Sequence, residues 1–149
     1  MNESQAELLK DHAEMERLLK LLAQAVDSND ASDELQRLWS QVEGIIVDHI
    51  RTEEHEFFVL VGPAHRAEVE GLRADHQRIR SSLAALGVEL ELHALRKPEI
   101  DALIQLLRDH AEREDATLYN WLSQRPDPTM AKTVHRMLLR RHSGQQKAG

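Results

Sequence analysis

Nine histidines are spread along this chain of 149 residues, and four of them stand where a helix should be apolar. His12, His49, His76 and His110 each fall in line with leucines, isoleucines or valines three and four residues away. Two of them have a glutamate four residues later, giving His49-x-x-x-Glu53 and His110-x-x-x-Glu114. Residues i and i+4 lie one above the other on a helix face, so each pair aims at one point. Four imidazoles and two carboxylates suit divalent or trivalent first-row metals. Six donors are too many for one tetrahedral zinc. They suit two ions, with two histidines on each and the glutamates bridging. Without a cation, burying this set together costs many kcal/mol. A single histidine in an apolar line is ordinarily a satisfied core residue. It is the set of six that points to a metal centre.

Four helices must carry these residues. The first is predicted over Ser4 to Val26, with a seam of Leu8, His12, Met15, Leu19, Leu22 and Val26. Ser28-Asn29-Asp30 breaks it, and Ser32 can cap the next. The second seam reads Leu35, Leu38, Val42, Ile46, His49, Glu53, Phe57 and Leu60, stopped by Gly62-Pro63. The third reads Val69, Leu72, His76, Ile79, Leu83 and Leu86, with Gly87 as its expected stop. The fourth starts near Pro98 and reads Ile100, Leu103, Leu107, His110, Glu114, Thr117 and Trp121. A fifth, shorter helix is expected from Asp127-Pro128 through Met130, Val134, Met137 and Leu138 to Ser143-Gly144. No strand-like alternation competes.

Counting from the turns sets the depth of each histidine. His12 lies 18 residues before Asp30 and His49 lies 19 after it. His49 lies 14 before Pro63 and His76 lies 13 after it, while His76 and His110 are each 17 from His93. A mismatch of one residue is about 1.5 Å of helix rise. An all-α, up-down-up-down antiparallel four-helix bundle therefore puts all four histidines at one level.

The chain has no cysteine, which excludes disulfide scaffolds, thiolate metal sites and cysteine nucleophiles. Its 26 acidic against 19 basic residues argue against a general nucleic-acid binder. Apolar runs such as Phe57 to Val61 are too short to span a bilayer. The opening Met1-Asn2-Glu3 runs straight into a charged helical pattern, so a cytoplasmic protein without a signal peptide is expected. Residues 1–126 are expected to form the bundle and 127–149 a basic helix and tail. From Thr129 onward there are five Lys or Arg and no acid, which suits docking on the acidic bundle or contact with a partner or anionic surface. His55, His65, His93, His135 and His142 lack the seam pattern and are expected at the surface.

The order His12, His49-x-x-x-Glu53, His76, His110-x-x-x-Glu114, over roughly residues 8 to 122, resembles the haemerythrin-like, or HHE cation-binding, family. The flanking segments 49–58 and 110–119 also resemble it. The resemblance implies a left-handed four-helix bundle and two non-haem iron ions joined by two carboxylates and an oxo or hydroxo bridge. Oxygen-carrying members have two histidines one turn apart on the third helix. Here the residue four after His76 is Arg80 and the residue four before it is Leu72. One iron therefore loses a ligand, gains water or recruits another group, which argues against simple oxygen carriage. The pattern looks more like the branch of iron-sensing domains and iron–sulfur repair proteins. Oxygen carriers also use an aspartate five residues after the helix-four histidine, the offset of Asp115, but the seam favours Glu114. A ferritin-like centre would need Glu-x-x-His pairs, and no histidine here has a glutamate three residues before it.

The leading expectation is a di-iron protein, monomeric or homodimeric, that binds oxygen or a related diatomic ligand such as nitric oxide, or senses iron or redox state. Ile46, Ile79, Leu107 and Leu72 are candidates for the wall of an apolar ligand pocket. The alternatives are an enzyme reducing nitric oxide or decomposing peroxide, and an iron delivery or storage protein. One further pattern concerns support of the ligands. Each of the four seam histidines directly follows an aspartate: Asp11, Asp48, Asp75 and Asp109. None of the other five histidines does. A metal-bound histidine commonly donates its second N–H to a carboxylate. At least two of these aspartates are expected to accept such a bond across a helix interface. The competing expectation is interfacial acids paired with Arg or Lys.

Overall fold

The computed structural model describes residues 3–28 and 32–123. Helix α1 spans Glu3–Asp27, α2 Ser32–Thr52, α3 Arg66–Glu91 and α4 Lys97–Ala116, with a short α5 over Leu118–Ser123. No strand is present among the described residues. α1 packs on α2 and α4, and α3 packs on α2 and α4, closing an up-down-up-down bundle. The expected helix after Asp127 lies outside the described residues.

Two apolar clusters hold the bundle together. The larger runs from Met15 to Ala25 on α1, Leu38 to Ile50 on α2, Ile79 to Leu90 on α3 and Ile100 to Ile104 on α4. The smaller joins Phe57, Phe58, Val69, Leu72, Leu118 and Tyr119. Every full burial of a Leu or Ile contributes roughly 1.5–3 kcal/mol. Leu19, Leu22, Ile46, Ile79, Ile100 and Leu103 are among those with no exposed surface or almost none. α3 contributes to both clusters, α2 gives way to the turns that carry Phe57 and Phe58, and α4 gives way to α5; the polar seam residues lie between the two clusters. The candidate site is thus a polar layer between two apolar layers.

Three boundaries depart from the helical phase read in the sequence. α3 does not stop at Gly87 but continues to Glu91, ending where His93 adopts φ 56°. The amide of Ala94 bonds Glu89 O and that of His93 bonds Leu90 O, the paired pattern of a Schellman cap built on a left-handed residue. The second helix does not run unbroken to Leu60. A π-turn occupies Glu53–Phe57 and a 3-10 turn Phe58–Leu60. The altered winding buries Phe57 and Phe58 together, although neighbours on an α-helix point about 100° apart. Finally, α4 ends at Ala116, because Thr117 leaves helical geometry at φ −121°, ψ −85° and its hydroxyl donates to Arg113 O at 2.6 Å.

Candidate metal centre

The sequence-derived residues meet where the helices cross the polar layer. Glu53, His76, His110 and Glu114 form one group of donors within 4.8 Å of one another, and His12, His49 and Glu114 form another. Glu114 belongs to both. Glu53, His76 and Glu114 are fully buried, His49 and His110 nearly so, and His12 partly. Within each group the histidines face each other through Nε2. His12 and His49 are 3.2 Å apart, and His76 and His110 are 3.0 Å apart. Glu53 Oε1 lies 3.1 Å from His49 Nε2 and 3.4 Å from His76 Nε2, so this carboxylate touches both groups. Glu114 Oε1 lies against His110 Nε2. Asp115 is exposed and outside both groups.

Hydrogen-bond partners decide which imidazole nitrogen is free to bind a cation. His49 Nδ1 donates to Asp11 Oδ2 at 2.7 Å, from α2 to α1. His110 Nδ1 donates to Asp75 Oδ2 at 2.9 Å, from α4 to α3. His76 Nδ1 donates to Glu54 Oε1 at 3.1 Å. Neutral His49, His76 and His110 therefore all present an Nε2 lone pair to the centre. His76 and His110 point theirs at each other. Such a contact is repulsive unless a proton or a metal ion lies between. Burial works against the proton and lowers the His110 pKa, and burial with His49 nearby lowers that of His12 to about 3.

The carboxylates make the same demand from the other side. Both side-chain oxygens of Glu114 and Oε1 of Glu53 are buried without a hydrogen-bond donor. Burial opposes charge on Glu53, but when an Nε2 proton of His49 or His76 faces it, these rings outweigh burial and hold its carboxyl well below the usual range. Charged carboxylates facing imidazole lone pairs in an apolar surround are what a pair of cations would compensate. The six residues fit the metal ions that their pattern implied.

Two of the four aspartates make the expected contact, Asp11 and Asp75. Asp75 also receives Arg113 at 2.6 Å and Arg78 at 3.2 Å, so both expected behaviours meet in one carboxylate. Asp48 instead pairs with Arg51, and Asp109 accepts from Gln105. Arg80 donates to Glu54 Oε2 at 3.0 Å, and through Glu54 it braces His76. Arg80 and His76 together outweigh burial and lower the Glu54 pKa.

One residue that sequence reasoning missed stands inside the cluster. The Tyr119 hydroxyl donates to Glu53 Oε2 at 3.0 Å and lies 3.2 Å from His12 Nε2 and 3.4 Å from His49 Nε2. Burial, followed by the charge of Glu53, raises its pKa well above the usual value. On an unbroken fourth helix Tyr119 would be turned away from the line of Glu114, and Thr117 and Trp121 would take its place. The break at Thr117 reverses this. Trp121 stacks on His65 with ring centroids 3.7 Å apart, which makes His65 half-buried rather than a plain surface residue. His55 and His93 are exposed as expected, while His135 and His142 lie outside the described residues.

A cavity of about 180 Å³ opens beside the cluster, reaching His12, His49, His110 and Glu114. Ile46, Ile79 and Leu107 line it, as expected, together with Met15, Ile50 and Ile104. Leu72 does not: it packs with Phe57, Phe58 and Tyr119 in the smaller apolar cluster. Glu16 and Arg108, paired with each other between α1 and α4, lie at the cavity as well.

No described helix is long and apolar enough to cross a membrane. No curated protein and no solved structure matches the chain. The family model of the hemerythrin HHE cation-binding domain matches residues 4–122, which include every helix that holds the cluster. The chain belongs to the hemerythrin HHE cation-binding domain family.

Proposed function

We propose that this is a di-iron protein whose centre binds a small diatomic ligand, oxygen or nitric oxide. The ligand set is His12, His49, His76 and His110, with Glu53 and Glu114 shared between the ions. The observation that carries this reading is the facing lone pairs of His76 and His110 beside three buried carboxylate oxygens without donors, Glu53 Oε1 and both of Glu114. All-nitrogen and oxygen donors favour iron or a similar first-row ion over thiophilic metals.

A bound di-iron pair supplies electrons and a vacant coordination position. The protein residues do the rest. Asp11 and Asp75 fix the tautomers of His49 and His110 and raise their basicity. Glu54, held by Arg80, does the same for His76. Glu53 and Glu114 supply negative charge that neutralises the cations. The apolar cavity admits a small uncharged ligand and offers few partners to water.

The test is metal analysis after anaerobic loading with ferrous iron and desalting, followed by optical spectra on addition of oxygen, nitric oxide or peroxide. About two irons per chain and a reversible spectral change with oxygen or nitric oxide are expected. Zinc retained in preference to iron, or one metal per chain, would overturn the di-iron assignment. Many turnovers of nitric oxide or peroxide per centre would replace ligand binding with catalysis.

A further inference from the structure

Tyr119 is the only tyrosine in the chain, and its phenol oxygen sits among atoms proposed as metal ligands. We infer that this oxygen occupies a coordination position on the ion held by His12 and His49, making Tyr119 a seventh protein ligand of the centre. The inference rests on the di-iron reading above and deepens it.

The distances carry it. Tyr119 Oη is 3.0 Å from Glu53 Oε2, 3.2 Å from His12 Nε2 and 3.4 Å from His49 Nε2. The two Nε2 atoms are themselves 3.2 Å apart. Ligands at adjacent corners of an octahedron with bonds of about 2.1 Å stand roughly 3.0 Å from one another. The phenol oxygen thus keeps the spacing of a neighbouring ligand to all three atoms at once. A hydrogen bond to Glu53 accounts for the first contact and one from a His12 Nε2–H for the second, but neutral His49, whose Nδ1–H is given to Asp11, has no Nε2 proton to account for the third. Nor is the residue placed by an ordinary helical turn. The break at Thr117 turns the chain so that Tyr119 is almost fully buried at the cluster.

Coordination makes the two ions unequal. One has His12, His49 and Tyr119 beside the shared glutamates. The other has only His76 and His110, because Arg80, one turn after His76, is engaged with Glu54. The exogenous ligand is thereby directed to the His76/His110 ion. On binding a ferric ion the phenol proton leaves to solvent, and no electron moves. A bound cation inverts the effect of burial on the phenol and favours its ionised form.

The experiment loads the full chain with ferric iron and measures iron per chain, the visible spectrum and resonance Raman scattering excited in the visible band. The expected result is a phenolate-to-iron band with phenolate ring modes that shift when the protein carries ring-deuterated tyrosine. Tyr119→Phe should lose band and modes entirely while keeping its helicity by circular dichroism and most of its iron. With one tyrosine in the chain, no other phenol can produce the signal. If Tyr119→Phe fails to fold, the isotope shift in the unaltered protein decides alone. Iron bound without phenolate modes overturns this inference and leaves the di-iron reading standing. Failure of the unaltered chain to hold iron overturns both.

Discussion

Asp75 Oδ2 accepts the Nδ1–H of His110 at 2.9 Å across the α3–α4 interface, while its other oxygen accepts from Arg113 at 2.6 Å. The carboxylate is fully buried, so its bond to the ring is not diluted by water. It fixes the tautomer that turns Nε2 toward the centre. Asp75→Asn keeps the shape but can present its amide to the ring and lose the charge. Iron affinity should fall by about 10- to 100-fold with unchanged helicity. Asp11→Asn should act in the same direction through His49. Asp109→Asn, which alters only an exposed contact to Gln105, should change affinity little. Competitive chelator titration measures all three. Equal affinity for Asp75→Asn and the unaltered protein would remove the supporting role.

How far the site was legible depends on where the chain kept to an ideal helix. Periodicity found the six donors because His12, His49, His76 and His110 replace apolar residues at 3.6-residue spacing. Counting from the turns matched their depth, since the bundle connections are short. Pro98 marked the start of α4 because its fixed φ suits a first turn. The same rule failed wherever the winding changes. The π-turn at Glu53–Phe57 brought Glu54 to His76, and no residue in the segment announces a π-turn. Gly87 suggested a stop, yet its added Cβ would meet Trp39 at an ordinary 3.5 Å, and the left-handed residue that ends α3 is His93. The break at Thr117 hid Tyr119, whose position five after Glu114 points away from the seam on a continuous helix.

Glu114 and Asp115 offer adjacent carboxylates with opposite surroundings. Glu114 is buried in both donor groups, whereas Asp115 is exposed. Glu114→Ala and Glu53→Ala should each abolish the dinuclear optical spectrum, and Asp115→Ala should leave most of it. Spectra of the iron-loaded variants, with iron content measured in parallel, check this. A destructive Asp115→Ala with a tolerated Glu114→Ala would shift the helix-four ligand by one residue.

Stability of the metal-free protein should depend on pH through the buried histidines. Burial and His49 hold His12 near a pKa of about 3, against 6.5 when unfolded, and burial lowers His110 as well. Below pH 6.5 the unfolded chain takes up protons that the folded chain refuses. Stability is therefore fully present above the ordinary histidine value and is lost as pH falls toward 3. The lowered pKa of Glu53 adds to the loss below about 4.5, because its folded-state charge is then opposed by protonation of the unfolded chain. The melting temperature in excess chelator should fall steadily from pH 7 to pH 4. His12→Gln should flatten part of that slope. A melting temperature constant across this range would contradict the burial of neutral imidazoles.

Leu107 lines the cavity from α4, one turn before His110, and is itself only half-buried. A larger side chain there has open volume to enter rather than packed atoms to displace, so the usual overpacking cost of about 1–3 kcal/mol is reduced. Leu107→Trp should narrow the route to the centre without touching a donor atom. Iron content should stay unchanged, while azide binding to the diferric form slows by about tenfold or more, a change within the range that association rates span among variants of one site. Leu107→Ala should act oppositely. Stopped-flow mixing with millimolar azide measures both rates. Identical rates in all three proteins would mean that ligands reach the ions by another path, and the cavity between α1 and α4 would lose its assigned role.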